Sequence, residues 1–420
     1  MRCRCRHGLM VVAVLLALGG QPAARAQIRA GLEGLAWQSP ETMHARERAL
    51  VDALAEPMLA ARDCSAALQS WFDARTADAR GDKEAALKAW DAGLKALAAP
   101  LPLLPEPAVA DLSRVRLVSV QRLGGAELYL VDGMVVRWTS PAGTQYGLCM
   151  VPSSRPEGHR FPLLVYVHGG LEGLKADEVL WLGEQCRQGY VVLAPALGGQ
   201  PLVSGSLPDL AALRSEGPAG DAAADAVEVM ALMHGARLST AIQADRCAVL
   251  GLGHGATVAL LAASRSGLPS CVAVAEARRL NPFRAYLARL QRGENTWSDW
   301  AAFCNLAPAE QLAGLRRQSA AHAAATLRCP VLLGLYQSDT GGLEEQAHRD
   351  VLAALPADGP GGRLEVLPDR RSAGTGKTPE TVCRRTLRSL VDFIRTVVPP
   401  DDGKDALLAP EPNPQTPGGR

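Results

Sequence analysis

The chain has 420 residues, 44 of them basic and 43 acidic, with 48% apolar. That length allows two domains with a sizeable core, and near-average apolar and charged fractions exclude wholesale disorder or a membrane bundle. Balanced charge without a basic stripe gives no support for nucleic acid as a partner.

The opening stretch, MRCRCRHGLMVVAVLLALGGQPAARAQ, begins with three arginines and closes on Ala24-Arg25-Ala26. Between them runs an apolar segment of about a dozen residues, the pattern of a secretory leader cleaved after Ala26. Residues 1–26 are therefore expected to be a signal peptide, with export to a periplasm or beyond the cell; the alternative is an uncleaved anchor. The apolar run is short for a bilayer span, and no membrane span is expected in the mature chain. The leader takes four of the basic residues and none of the acidic ones, so a slight acidic excess remains. Cys3 and Cys5 leave with it. Cys64, Cys149, Cys186, Cys247, Cys271, Cys304, Cys329 and Cys383 remain. An even number in an exported chain permits disulfides. None has C-x-x-C spacing, and several lie in apolar runs where a buried free thiol is the ordinary state.

Residues 27–99 read as an Ala-rich helical domain. SAALQSWFDARTADARGDKEAALKAWDAGLKALAA predicts two helices joined near Gly81. The stretch is similar to one tetratricopeptide unit, but such units need neighbours to bury their faces, which favours a docked helical hairpin. A protein partner is placed, if anywhere, on these helices. PLPLLPEP within 100–110 reads as a stiff linker. From 111 to 398 the character changes. VVRWTS, YGLCMVP, FPLLVYVHGG, YVVLAPALGG, CAVLGLG, CVAVAEA, CPVLLGLY and GRLEVLP read as strands, with helical patterns between the later ones. Short buried strands alternating with helices predict an α/β fold, a mostly parallel sheet with helices on both faces. Residues 399–420 are Pro/Gly-rich and expected to be disordered.

AVLGLGHGATVALLAA, residues 248–263, raises the functional question. Strand, Gly-rich turn and small-residue helix are the shape of a nucleophile elbow, spaced G-x-S-x-G. Here the spacing is Gly251, Leu252, Gly253, His254, Gly255, so glycine stands where the serine belongs. Around it lie FPLLVYVHGGLEG, GYVVLAPALGGQ, GDAAADAVEVMALM and QSAAHAAATLRCPVLLGLYQSD, in that order. With these motifs the chain, over about 130–397, resembles the α/β-hydrolase superfamily, in its prolyl-oligopeptidase-like and dienelactone-hydrolase-like branch.

The resemblance implies an oxyanion loop at His168, Gly169 and Gly170, with a second backbone donor at His254. The plain alternative is that these glycines serve a tight turn. It implies a catalytic acid at Asp339, which otherwise reads as a turn former in QSDTGG. It places the nucleophile at Gly253, which has no side chain to attack with. It places the base in LPDRRSAGTGKT, which has no histidine; Ser372 stands near that slot. His322 and His348 lie outside the family position. His254 reads either as a substitute nucleophile or base, or as a residue lining the turn. The two losses agree, because without a nucleophile nothing needs the base.

SAGTGKT is not a phosphate loop, since Arg371 stands where that pattern needs glycine. Thr378, Pro379 and Glu380 instead read as the start of a helix. No His/Asp/Glu cluster has metal spacing, and no cofactor is implied. An insertion at about 276–328, including RRLNPFRAYLARLQRGENTWSDWAAF, reads as a lid. Its Phe283, Tyr286, Trp297, Trp300 and Phe303 either line a cleft for an apolar or sugar-like ligand or form the lid's own core. The reading is a hydrolase fold with a degenerate triad, acting by binding a small molecule in the hydrolase pocket or a protein partner. The alternative is an active esterase or peptidase with a displaced site.

Overall fold

The computed structural model describes residues 43–401, apart from 109, 124–129, 154–155, 157, 205–207, 295–302, 304 and 369–378. Residues 1–26, expected to be a signal peptide, Ser372, Trp297, Trp300 and nearly all of the C-terminal tail lie outside the described residues. The chain divides into two compact units, Met1–Leu104 with Leu287–Leu312, and Pro105–Tyr286 with Ala313–Arg420.

In the first unit, α1 (Met43–Leu59) precedes the expected helix pair α2 (Ser65–Ala79) and α3 (Lys83–Leu97). The Asp82 carboxylate caps α3 by accepting the Ala85 N–H at 3.0 Å. Leu50, Leu54, Leu68, Trp71 and Trp90 are buried between the helices. The Pro-rich stretch begins as part of this unit and not as a free spacer. Leu104 N–H donates to Ala61 O, and Asp63 N–H to Pro102 O, both at 2.8 Å. The insertion read as a lid is also divided differently, because Leu287–Leu312 clusters with these helices. Arg75 of α2 donates to Gly293 O at 2.9 Å, and a cleft of about 520 Å³ is lined by residues of α1, Arg75 and Leu290–Gly293.

The second unit is built on a nine-stranded sheet of order β1-β2-β3-β5-β4-β6-β7-β8-β9. The strands are β1 (Val118–Leu123), β2 (Val131–Ser140), β3 (Gly143–Pro152), β4 (Phe161–Val167), β5 (Val191–Pro195), β6 (Ile242–Leu252), β7 (Cys271–Ala275), β8 (Val331–Tyr336) and β9 (Gly362–Leu367). β1, β2, β3 and β5 pair antiparallel in turn, and the pairs from β5 through β4 to β9 are parallel. Every residue of β4, β5, β7 and β8 is buried, as continuous apolar runs require of strands covered on both faces.

Alternation along β4 sends side chains to opposite faces. Leu163, Val165 and Val167 join a core with α5 (Ala222–Ala236), α6 (His254–Ser266) and α7 (Leu343–Ala354). Leu164 and Tyr166 join a core with α4 (Ala176–Arg187) and α8 (Pro379–Val397). α8 starts at Pro379, where the fixed φ of proline suits a first helical turn. The buried Glu228 carboxylate of α5 accepts Trp138 Nε1–H at 3.1 Å and Ser140 Oγ–H at 2.6 Å, tying helix to sheet. The six described cysteines are buried free thiols. Burial pushes Cys149 and Cys247 up to about 12 and Cys329 to about 11. No described helix is long and apolar enough to cross a membrane.

α6 packs end-on against β4 at Gly255, where any Cβ would run into the Val167 and His168 carbonyl oxygens. Gly255→Ala is expected to cost at least about 3 kcal/mol, because neither backbone can yield. Gly267→Ala, at φ +62 in open space, should cost only about 1 kcal/mol. Chemical denaturation of both variants checks the contrast, and equal losses would contradict the close approach.

Candidate site at the elbow

β6 ends at Leu252, and α6 begins at His254. Between them Gly253 holds φ 55 and ψ −120, backbone space that favours glycine. Its N–H donates to Ala275 O of β7 at 3.0 Å. The elbow shape is therefore present without its serine.

The loop after β4 lies against this turn. A Cβ on Gly253 would sit 3.0 Å from Gly169 O and 3.1 Å from Gly169 Cα. His254 N–H, read from sequence as an oxyanion donor, is directed at the Gly169 carbonyl at 3.4 Å. The expected donor at His254 thus has an acceptor within the fold. His168, Gly169, Gly170, Gly253 and His254 are brought together, but a carbonyl oxygen faces one donor. Gly169, Gly253 and His254 are half-buried, and Gly170 is exposed.

The His254 side chain has a partner that sequence reasoning missed. Its Nε2 lies 2.7 Å from Asp225 Oδ2, and Asp225 Oδ1 accepts the Gly198 N–H, also at 2.7 Å. Asp225 is fully buried in the first turn of α5, whose start is capped by Asp221 accepting Ala223 and Ala224 N–H. Burial raises the Asp225 carboxyl above its usual range, and the bonds to His254 and Gly198 pull it back. The available signal was AAADAVEVMALM, an apolar helix carrying two acids three residues apart, a spacing that puts both on one face. His168 is also fully buried, with the Gly170 backbone as the hydrogen-bonding group nearest its ring. Burial, then the charge of nearby His254, pushes its imidazole down to about 4.

The other expected roles are not assembled. Asp339 is exposed in the 3-10 turn Gln337–Asp339. His348 is buried, and its Nδ1–H donates to Glu344 O one turn back at 2.7 Å. His322 Nδ1 meets Ser319 Oγ at 2.7 Å. Phe283 and Tyr286 are fully buried core residues, and Phe303 is half-buried. Glu276 was not anticipated. It follows Ala275 with φ 57, and its carboxylate accepts Tyr336 Oη–H at 2.6 Å. Nothing in the residue pattern signals such backbone strain. Among the described residues no group of His, Cys, Asp and Glu could hold a metal ion.

No protein-family model and no curated protein matches the chain. Solved structures do. An acetyl xylan esterase from Paenibacillus sp. R4 is 18% identical, over 68% of this chain and 89% of that one, with a TM-score of 0.48. Acetyl xylan esterase 1 from Thermoanaerobacterium sp. JW/SL YS485 is 13% identical, over 66% and 87%, with a TM-score of 0.47. Pyrococcus horikoshii acylaminoacyl peptidase is 17% identical, over 65% and 43%, with a TM-score of 0.45. The strand order, with the elbow strand inside the parallel part of the sheet, decides the fold. The chain has the α/β-hydrolase fold. Its elbow lies at the carboxyl ends of parallel strands, where open α/β sheets place their sites.

His168 gives a pH dependence. With its folded value near 4, below the ordinary 6.5, the folded chain binds fewer protons than the unfolded one between those values. Stability from this group is complete above pH 6.5 and falls as pH drops towards 4, by about 3 kcal/mol. The raised carboxyls of Asp225 and Glu228 act in the opposite sense, so the comparison must isolate the imidazole. The stability gap between wild type and His168→Gln, by denaturant titration, should shift by about that amount over this window, against the wild type at low pH. A gap independent of pH would contradict it.

Proposed function

We propose that the chain is an exported hydrolase-fold protein that has lost serine-hydrolase chemistry and acts by binding. One observation carries the reading. The Gly169 backbone crowds the place a Gly253 side chain would need, and its carbonyl faces the His254 N–H. The absence of histidine from LPDRRSAGTGKT points the same way, since a serine there would lack the base that activates it. Export is read from the leader sequence. The bound molecule is a small ligand at the elbow, or a protein on the N-terminal helices.

A second reading has one observation in its favour. His254 with buried Asp225 is a histidine–carboxylate pair of the kind that serves as general base. An active esterase or peptidase would use it with a displaced nucleophile.

Labelling with a fluorophosphonate probe, mapped by mass spectrometry, separates the two alongside a panel of short-chain esters. The binding reading expects no labelled residue and no turnover. A single labelled residue together with ester turnover would establish the enzyme and name its nucleophile.

A further inference from the structure

We infer that the cleft in the helical unit is a binding site for a small zwitterion of the amino-acid class, its carboxylate on Arg75 and its ammonium on Asp52. The site is independent of the chemistry at the elbow.

At about 520 Å³ the cleft lies within the usual range of small-molecule sites, about 300–1,000 Å³. It has the volume of about 17 waters at about 30 Å³ each, enough for an amino acid. Its wall carries both signs of charge: Glu47 and Asp52 come from α1 and Arg75 from α2. Val51 and Leu290 also line it but are almost wholly buried, so the accessible wall is polar. That suits a ligand charged at both ends.

The Arg75 guanidinium is placed by three contacts. Its Nη2–H donates to Gly293 O at 2.9 Å, its Cζ lies 5.9 Å from the centre of the buried Trp71 ring, and its Nη1 lies 3.5 Å from Glu47 Oε1. The bond to Gly293 is its one hydrogen bond among the described residues, since the Glu47 contact is too long to count as another. A half-buried guanidinium held in this way, with its Nε and Nη1 donors unused, is preorganised for a carboxylate. Glu47 beside it offsets part of its charge, which favours a monoanion over a dianion.

Asp52 supplies the opposite sign. Its carboxylate lines the same cleft, is exposed, and accepts no hydrogen bond among the described residues. The other cations of the lining do not take its place. Arg292 forks onto Glu294 at 2.5 and 3.2 Å, and Arg48, one turn back on α1, reaches Asp52 through its charge alone. An ammonium would give Asp52 a charge-assisted donor.

The test is isothermal titration calorimetry of the full chain with L-glutamine, beside N-acetyl-L-glutamine, which lacks the cation, and L-glutaminamide, which lacks the anion. Saturable binding of L-glutamine is expected, with each derivative at least about tenfold weaker, as for one charge-assisted hydrogen bond. Asp52→Asn should abolish the preference over N-acetyl-L-glutamine, and Arg75→Gln the preference over L-glutaminamide. No saturable binding by the wild type, equal affinity for the three compounds, or an unchanged preference in Asp52→Asn would each overturn the site. Asp52 is exposed and holds no partner in the fold, so its variant decides even if Arg75→Gln fails to fold.

Discussion

The buried carboxylate of Asp225 is the interaction on which the elbow depends. It sits in α5, accepts an N–H from Gly198 in the loop after β5, and takes the imidazole at the start of α6. Three segments that diverge from the sheet are thereby fixed at one point. Burial of the carboxyl is unfavourable, and its two bonds offset that cost. Taking the carboxylate away would leave Gly198 N–H and His254 Nε2 without partners, a loss of about 3–5 kcal/mol for breaking a buried pair. The position of α6, and so of every group around Gly253, follows from this contact.

With α6 so placed, the turn at Gly253 keeps its form without a reacting side chain. Positive φ strains most residues by about 1–3 kcal/mol and glycine hardly at all. Glycine at this position therefore spares the chain that strain while the strand-turn-helix connection persists. Gly255 keeps α6 against the end of β4, and the loop after β4 closes on Gly253. A retained elbow is evidence about how the sheet meets its helix. Gly253 itself carries no side chain at the tip of that turn. Glu276 shows strain of another kind: a carboxylate residue at φ 57, bonded to Tyr336, next to the turn.

What the sequence makes legible follows the strength of local patterns. The buried parallel strands are apolar runs bounded by turns, and the elbow is spelled out by Gly251, Gly253 and Gly255. Pro379 marks the start of α8 for a local reason, its fixed φ. β1 is missed because its residues are nearly all exposed and its alternation, Val118-Ser119-Val120-Gln121, is only four residues long. The pairing of Asp225 with His254 is missed because it joins residues 29 apart, and only the packing of α5 against α6 brings them together. The direction of the Gly169 carbonyl has no residue signature. The grouping of Leu287–Leu312 with the N-terminal helices is a tertiary choice, made in part by Arg75 reaching Gly293 O.

The central claim is that this elbow is kept for its shape and closed to serine chemistry. Turnover of a p-nitrophenyl ester by Gly253→Ser measures it most directly. The account predicts no rate above wild type, together with a lower melting temperature as the new Cβ meets Gly169. Ester hydrolysis by that variant, well above wild type and with stability unchanged, would contradict both the closed slot and the missing base.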